Sequence, residues 1–256
     1  MLKEIVIAFQ SYFQALYFIM KHKLWKWIVI PGLIYAILFI GGLYFFLTSS
    51  NAAIRFMMEA GGIKAWLDKI QTSWISFMFL FGQIMLQLVL LLFYFSLFKY
   101  LFLIIGSPVF SYLSEKTESI LEGKDFAFSF SQLAKDIVRG IRLAFRNLVW
   151  QSVYMVTIFF LSLVPFVGWI MPLVALFIEC YYLGFSMLDY SSERHRLGYI
   201  QSIKFVGNHK GLAIGNGMVF YLLHLLPIIG WMLAPGYAVT AATLSLINAK
   251  KSKLIF

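Results

Sequence analysis

Apolar residues fall into a few long runs separated by short polar stretches, and the runs differ in kind. Ile28 to Leu47 is a nearly continuous apolar run of about 20 residues, the length a helix needs to cross a bilayer, with Trp25, Lys26 and Trp27 before it as interfacial anchors. Ser49, Ser50, Asn51 and Ala52 follow as they would after a signal peptide. Signal cores are only about 7–15 residues long and lie nearer the chain start, so a spanning helix is the reading. Ile75 to Phe98 is longer still and ends at Lys99 and Tyr100, which predicts a second span that tilts or continues as helix beyond the membrane.

The remaining apolar stretches are each interrupted by proline and glycine around a tryptophan. Leu163 to Pro172 reads LVPFVGWIMP and Leu225 to Pro235 reads LLPIIGWMLAP, so P-x-x-G-W followed by a second proline recurs after about 60 residues as an internal repeat. Proline disfavours helix at the residue before it and Gly-Trp suits an interfacial turn, so each motif is expected at the tip of a helical hairpin. The arms read as short. Val149 to Val164 and Leu173 to Leu188 hold about 16 residues each, and Ile214 to Leu226 and Tyr237 to Ile247 about 11–13. At about 1.5 Å per residue most fall short of a ~30 Å core. For the first hairpin, arms that enter without crossing and ordinary spans in a thinned membrane stand level. For the second, the re-entrant form is expected.

Two polar stretches follow helical spacing instead. SPVFSYLSEKTESILEG places Glu115, Glu118 and Glu122 at i, i+3 and i+7, and KDIVRGIRLAFRNL places Arg139, Arg142 and Arg146 likewise, so two amphipathic helices each carry a charged stripe. Facing each other the stripes form a salt-bridge ladder; facing an aqueous passage they hold and release an ion; apart, they meet water and lipid phosphates. Ser107 and Pro108 are expected to open the acidic helix as N-cap and first-turn proline, a start that can bind an anion.

Composition settles the solvent. Of 256 residues 61% are hydrophobic and 12% charged, against roughly 45–50% and 25% in soluble domains. A soluble fold is thereby excluded, and the whole of 1–256 reads as a single integral membrane domain, all-α. Lys and Arg exceed Asp and Glu by ten. Eighteen of the 21 basic residues fall in 1–27, 99–148, 189–211 and the tail from Lys250. That bias puts both termini in the cytoplasm, whichever form the hairpins take, and favours anionic lipid over nucleic acid as the basic surface's partner.

Catalytic signatures are missing from the sequence: it has no Walker loop, zinc cluster, nucleophile elbow or dinucleotide fingerprint, and His22, His195, His209 and His224 lack metal-ligand spacing. No enzyme activity, cofactor or metal is expected. Cys180, the single cysteine, lies in an apolar run and reads as inert packing. Glu179 beside it is the costly residue, an ionisable group inside an apolar arm. It reads as a proton or ion ligand, as the partner of a neighbouring helix, or as a group near the headgroups of a shallow arm. Gly207, Gly211 and Gly215 form a small-residue ridge for close helix packing. Gly215-Asn216-Gly217 alternatively reads as an anion nest. His224 reads as a packing residue.

Taken together these motifs resemble the bacterial CysZ sulfate permeases and their eukaryotic etoposide-induced relatives over nearly the whole chain. The likeness rests on the aromatic-basic approach ending in IVIPGLI, on SPVFSYLSEKTESILEG with its Pro108, Glu115, Glu118 and Gly123 spacing, on Asp136 and Arg139, on LDYSSERHRL from Leu188 to Leu197, and on the proline-tipped hairpins. The resemblance implies two long transmembrane helices, two hemi-penetrating hairpins and a homo-oligomer in the bacterial cytoplasmic membrane. It also implies passage of sulfate for cysteine synthesis. Similar chains carry glycine-hydrophobic-Arg-Arg before the first span, implicated in sulfate binding. Here Lys23, Leu24, Trp25 and Lys26 stand at those positions. Two cations remain, without the planar fork that grips an oxyanion. The second function class is a non-transporting scaffold or lipid-interacting protein of the same fold, whose basic stripe would serve headgroups.

Overall fold

The computed structural model describes residues 1–60, 73–123, 130–164, 166–192, 198–226 and 228–252. The expectations attached to Pro165, Pro227 and His195 fall outside that set. The described chain forms eight helices: α1 (Leu2–Lys21), α2 (Trp25–Ala60), α3 (Ser73–Glu122), α4 (Phe130–Ser162), α5 (Val167–Ser192), α6 (Tyr199–Asn208), α7 (Lys210–His224) and α8 (Ile229–Lys251). Five stretches are long and apolar enough to cross a membrane: Trp25–Phe56, Phe77–Tyr100, Val138–Ser162, Val167–Ser191 and Met232–Lys251.

Several boundaries differ from those the sequence predicts, each because a helix runs through a residue read as a break. α3 spans 50 residues with Pro108 inside it, so Ser107 and Pro108 do not open a helix and offer no N-terminal anion site. Pro108 cannot donate to the Ile104 carbonyl, and the Ser107 hydroxyl donates to that oxygen instead, at 3.0 Å. The basic stripe and the first hairpin's ascending arm are likewise one helix, α4, of 33 residues. Pro172 and Pro235 lie in the second turns of α5 and α8. The arms of the first hairpin are therefore longer than the apolar count implied: 33 and 26 residues.

The two hairpin turns repeat each other in detail. Phe166 and Ile228, which follow the first proline of each motif, take left-handed backbone at φ 65° and 63°. The Gly168 amide donates to Val164 at 2.8 Å, and the Gly230 amide to Leu226 at 2.9 Å. A Cβ on Gly168 would stand 2.2 Å from the Ser162 carbonyl oxygen, and one on Gly230 1.9 Å from that of Leu223. Glycine is required at both because the backbone of the incoming helix occupies the side-chain position.

Their reach differs. In the first hairpin Trp169 packs edge-on against Phe81 of α3, with centroids 5.0 Å apart. The second begins to turn at His224, which meets Phe39 at 4.8 Å and Phe95 at 6.2 Å. Phe81 precedes Phe95 by fourteen residues, about 20 Å of helix rise. Trp169 of the first tip therefore lies well beyond His224, the last residue of α7, along α3.

α8 forms the hub. Its span is 72% buried, against 6% for Phe77–Tyr100 of α3. Ala234, Ala238, Ala241, Ala242 and Ala249 let neighbours approach. At Gly32 the contact is backbone to backbone, for a Cβ there would fall 1.7 Å from the Met232 carbonyl oxygen. Polar atoms in the hub are paired across helices: the Ser114 and Thr243 hydroxyls lie 3.1 Å apart, and Asn216 Nδ2 donates to Ser245 at 3.0 Å. α1 lies against α7 and α8. Asn248 of α8 donates to Ser11 and Gln14 of α1. Gly211 and Gly215 of α7 meet α1 as the small-residue ridge predicts, whereas Gly207 faces open space.

Candidate functional site

Lys23, Leu24, Trp25 and Lys26 form the turn from α1 into α2. Lys23 has φ 55°, and the Leu24 amide reaches back to Ile19 (3.1 Å) while the Lys23 amide reaches Met20 (3.4 Å). This double closure places the residue after the helix cap in the left-handed region, a position glycine favours. Lys23 takes this backbone with a side chain that is strained there. Leu24 and Ile19 are both buried in the same core, in keeping with the apolar pairing that often accompanies this closure. Lys23, Trp25 and Lys26 are exposed. The Lys26 ammonium lies over the Trp25 ring at 5.8 Å. Two cations therefore flank the start of a long apolar helix, where the free amides of the first turn add positive potential.

Deeper in the bundle a second polar centre is fully enclosed. Glu179 of α5 is 0% exposed and Lys99 of α3 5%. Lys99 Nζ donates to Glu179 Oε2 at 2.7 Å, Tyr221 of α7 donates to the same oxygen at 2.6 Å, and Gln151 Nε2 of α4 donates to Oε1 at 2.5 Å. The Tyr100 hydroxyl donates to Gln151 Oε1 at 2.7 Å and so turns the amide's NH2 toward Glu179. Four helices converge on one carboxylate. The sequence reading offers a helix partner for Glu179, and Lys99 is that partner. Lys99 itself, counted among the basic residues of 99–148, is buried inside the bundle. Gln151 and Tyr221 were not singled out; a polar residue inside each apolar arm was the signal.

Depth along α2 locates this centre. Tyr35 touches Phe98 and Phe102 of α3, at 5.4 and 4.2 Å, either side of Lys99. Tyr35 is ten residues past Trp25, about 15 Å along the helix.

A third node joins the basic stripe to α5. Arg139 donates to Asp189 Oδ1 at 2.8 Å, and Ser202 of α6 donates to the same oxygen at 2.5 Å. The stripes' spacing did not name Asp189 as a partner for Arg139. Along the two stripes exposure is graded: Glu118 is buried, Glu115 half-buried and Glu122 exposed, while Arg139 and Arg146 are half-buried and Arg142 exposed. Arg146 donates to Asn147 at 2.9 Å.

Gly215, Asn216 and Gly217 lie inside α7, with their amides in the helical ladder, so they form no anion nest. Gly217 is needed instead for packing, since a Cβ there would stand 1.9 Å from the Cys180 carbonyl oxygen. Cys180 is buried beside Glu179. His224 stacks on Phe220 at 5.3 Å within an aromatic cluster, the packing role its setting predicts. Among the described residues no group of three or more His, Cys, Asp or Glu side chains is arranged to hold a metal ion.

Residues 11–235 match the family described as sulfate transporter CysZ/etoposide-induced protein 2.4. Among curated proteins, one from Pseudomonas fluorescens is 25% identical over 237 residues, covering 90% of this chain and 89% of that protein. One from Pseudomonas syringae pv. tomato is 27% identical over 187 residues, 71% and 73% of the two chains. One from Vibrio cholerae is 25% identical over 222 residues, 85% and 84%. Each of the three is named a sulfate transporter CysZ.

Proposed function

The chain belongs to the sulfate transporter CysZ/etoposide-induced protein 2.4 family, and from that premise we propose that it passes an inorganic oxyanion, in the first instance sulfate, across the bacterial cytoplasmic membrane to supply cysteine synthesis. The observation that carries this reading is the turn at Lys23–Lys26. It sets two exposed cations and a helix N-terminus at the mouth of α2, where a dianion is attracted by the ammonium groups and by the first-turn amides. The reaction is translocation, with no bond made or broken.

In this reading Trp25 marks the cytoplasmic interface and both termini are cytoplasmic, as the distribution of Lys and Arg supports. The second hairpin is re-entrant and the first reaches deeper, a difference supported by the contacts of His224 and Trp169 on α3. Arg139, Arg142, Arg146, Glu115, Glu118 and Glu122 line the cytoplasmic side of the passage. The protein works as a homo-oligomer held among lipids.

The experiment is uptake of labelled sulfate into proteoliposomes, with Lys23→Gln/Lys26→Gln as the diagnostic variant. Sulfate affinity is expected to fall at least tenfold with protein yield kept, and the wild-type attraction to weaken with salt. Unchanged affinity would return the turn to lipid anchoring. That outcome favours the second reading, a non-transporting lipid-interacting protein, for which the exposed Trp25 and Trp27 beside Lys26 are the supporting observation.

A further inference from the structure

Among the described residues Lys99 is the most deeply buried basic side chain. Replacing a buried ion pair with apolar residues of similar volume is often neutral or stabilising, so packing alone does not call for one here. The geometry around it is directional. Lys99, Gln151 and Tyr221, from three different helices, all donate to a single carboxylate, and Tyr100 fixes the amide that faces it. A ring of convergent donors around one cation, enclosed from water, is what an oxyanion needs in place of its hydration shell. In this structure the group receiving those bonds is the chain's own Glu179.

We propose that Lys99, Gln151 and Tyr221 form an intramembrane oxyanion-binding cradle, which Glu179 occupies at rest and vacates to a transported sulfate. The proposal rests on the transport reading above and adds a second ion position about 15 Å along α2 from the lysine turn. The two occupants share a cation and exclude each other: one ammonium cannot balance a carboxylate and a dianion together at this depth. Tyr221 gives the exchange a mechanical link, since α7 is an arm of the second hairpin. When Glu179 leaves the cradle, α7 loses a hydrogen bond to α5 and gains one to the ion.

The test compares three proteins in proteoliposomes and in detergent, with inorganic sulfate as the probe. Glu179→Gln keeps the shape but removes the competing charge, so sulfate binding is expected to tighten at least tenfold while turnover falls. Lys99→Met/Glu179→Leu replaces the ion pair with apolar bulk. It is expected to lose sulfate flux at least tenfold while still unfolding cooperatively, at a temperature lowered only by the two donors, Gln151 and Tyr221, that lose their acceptor. Flux in this double variant equal to wild type would overturn the proposal and leave the transport reading standing. Absence of sulfate flux in the wild-type protein would instead overturn the transport reading. A Glu179→Gln protein that folds and binds sulfate as weakly as wild type also counts against the cradle.

Discussion

Glu4 and His209 lie 205 residues apart in sequence and meet at 2.8 Å. The other carboxylate oxygen of Glu4 accepts the Gly211 amide at 3.0 Å, so the side chain of α1 caps the first turn of α7. Glu4→Ala removes a negative group from a helix N-terminus and leaves an amide without its acceptor. The expected cost is about 1–2 kcal/mol. Thermal unfolding in detergent measures it, and a change under about 0.3 kcal/mol would mean that α1 is held by its apolar face alone.

Position 23 separates backbone from charge. Lys23→Gly relieves the left-handed strain and is expected to stabilise the protein by about 0.5–1 kcal/mol, after allowance for glycine's greater unfolded freedom. It also deletes a cation from the mouth of α2, so sulfate affinity should fall. Opposite signs in a melting curve and a binding isotherm are the expected signature. Loss of stability would refute the conformational account.

The hairpin glycines are expected to be intolerant in matched fashion. Gly168→Ala and Gly230→Ala each drive a methyl into a backbone carbonyl, at about 2–3 kcal/mol. Gly82 and Gly140 sit in helices with open space around them. Alanine there should stabilise by up to about 1 kcal/mol through helix propensity. Four melting curves decide the contrast.

Hairpin depth is accessible to chemistry. In a chain carrying Cys180→Ala, Val167→Cys at the first tip is expected to react with an impermeant maleimide added on the side opposite the termini. Ile229→Cys at the second tip should stay unlabelled. Equal labelling of both would show that the tips reach the same level.

Arg139 and Asp189 should behave as a coupled pair. Asp189→Asn removes the carboxylate charge that the half-buried Arg139 guanidinium donates to, an expected loss of about 3 kcal/mol. The exchange Arg139→Asp/Asp189→Arg should recover part of it. A double-mutant cycle with coupling below about 0.5 kcal/mol would show that each is solvated separately.

The long apolar helices were legible because solvent and length decide them: Ile28–Leu47 and Ile75–Phe98 lie within α2 and α3. Both repeated motifs fall between consecutive helices, and at Gly168 and Gly230 a Cβ would meet backbone. Prolines misled where context outweighed them: Ser107 supplies the hydrogen bond that Pro108 cannot, so α3 continues. α1 went unremarked because its buried positions, Glu4, Ala8, Ser11, Tyr12, Ala15, Phe18 and Ile19, mix polar with apolar types. Glu179 stood out as an intramembrane charge, but its partner did not. Lys99 is 80 residues away, and its position at the end of an apolar run is also that of an ordinary interfacial lysine.

The burial of α8 carries a consequence for synthesis. The described helix that leaves the ribosome latest is the one around which α1, α2, α5 and α7 are arranged, and Asn248 bonds to Ser11 across 237 residues. Earlier helices enter the membrane with their inward faces unpartnered and wait for it. Closure is thus a single late event of high contact order, slow relative to local helix formation. A stop before Met232 is expected to leave Gly32 of α2 without the backbone it packs against.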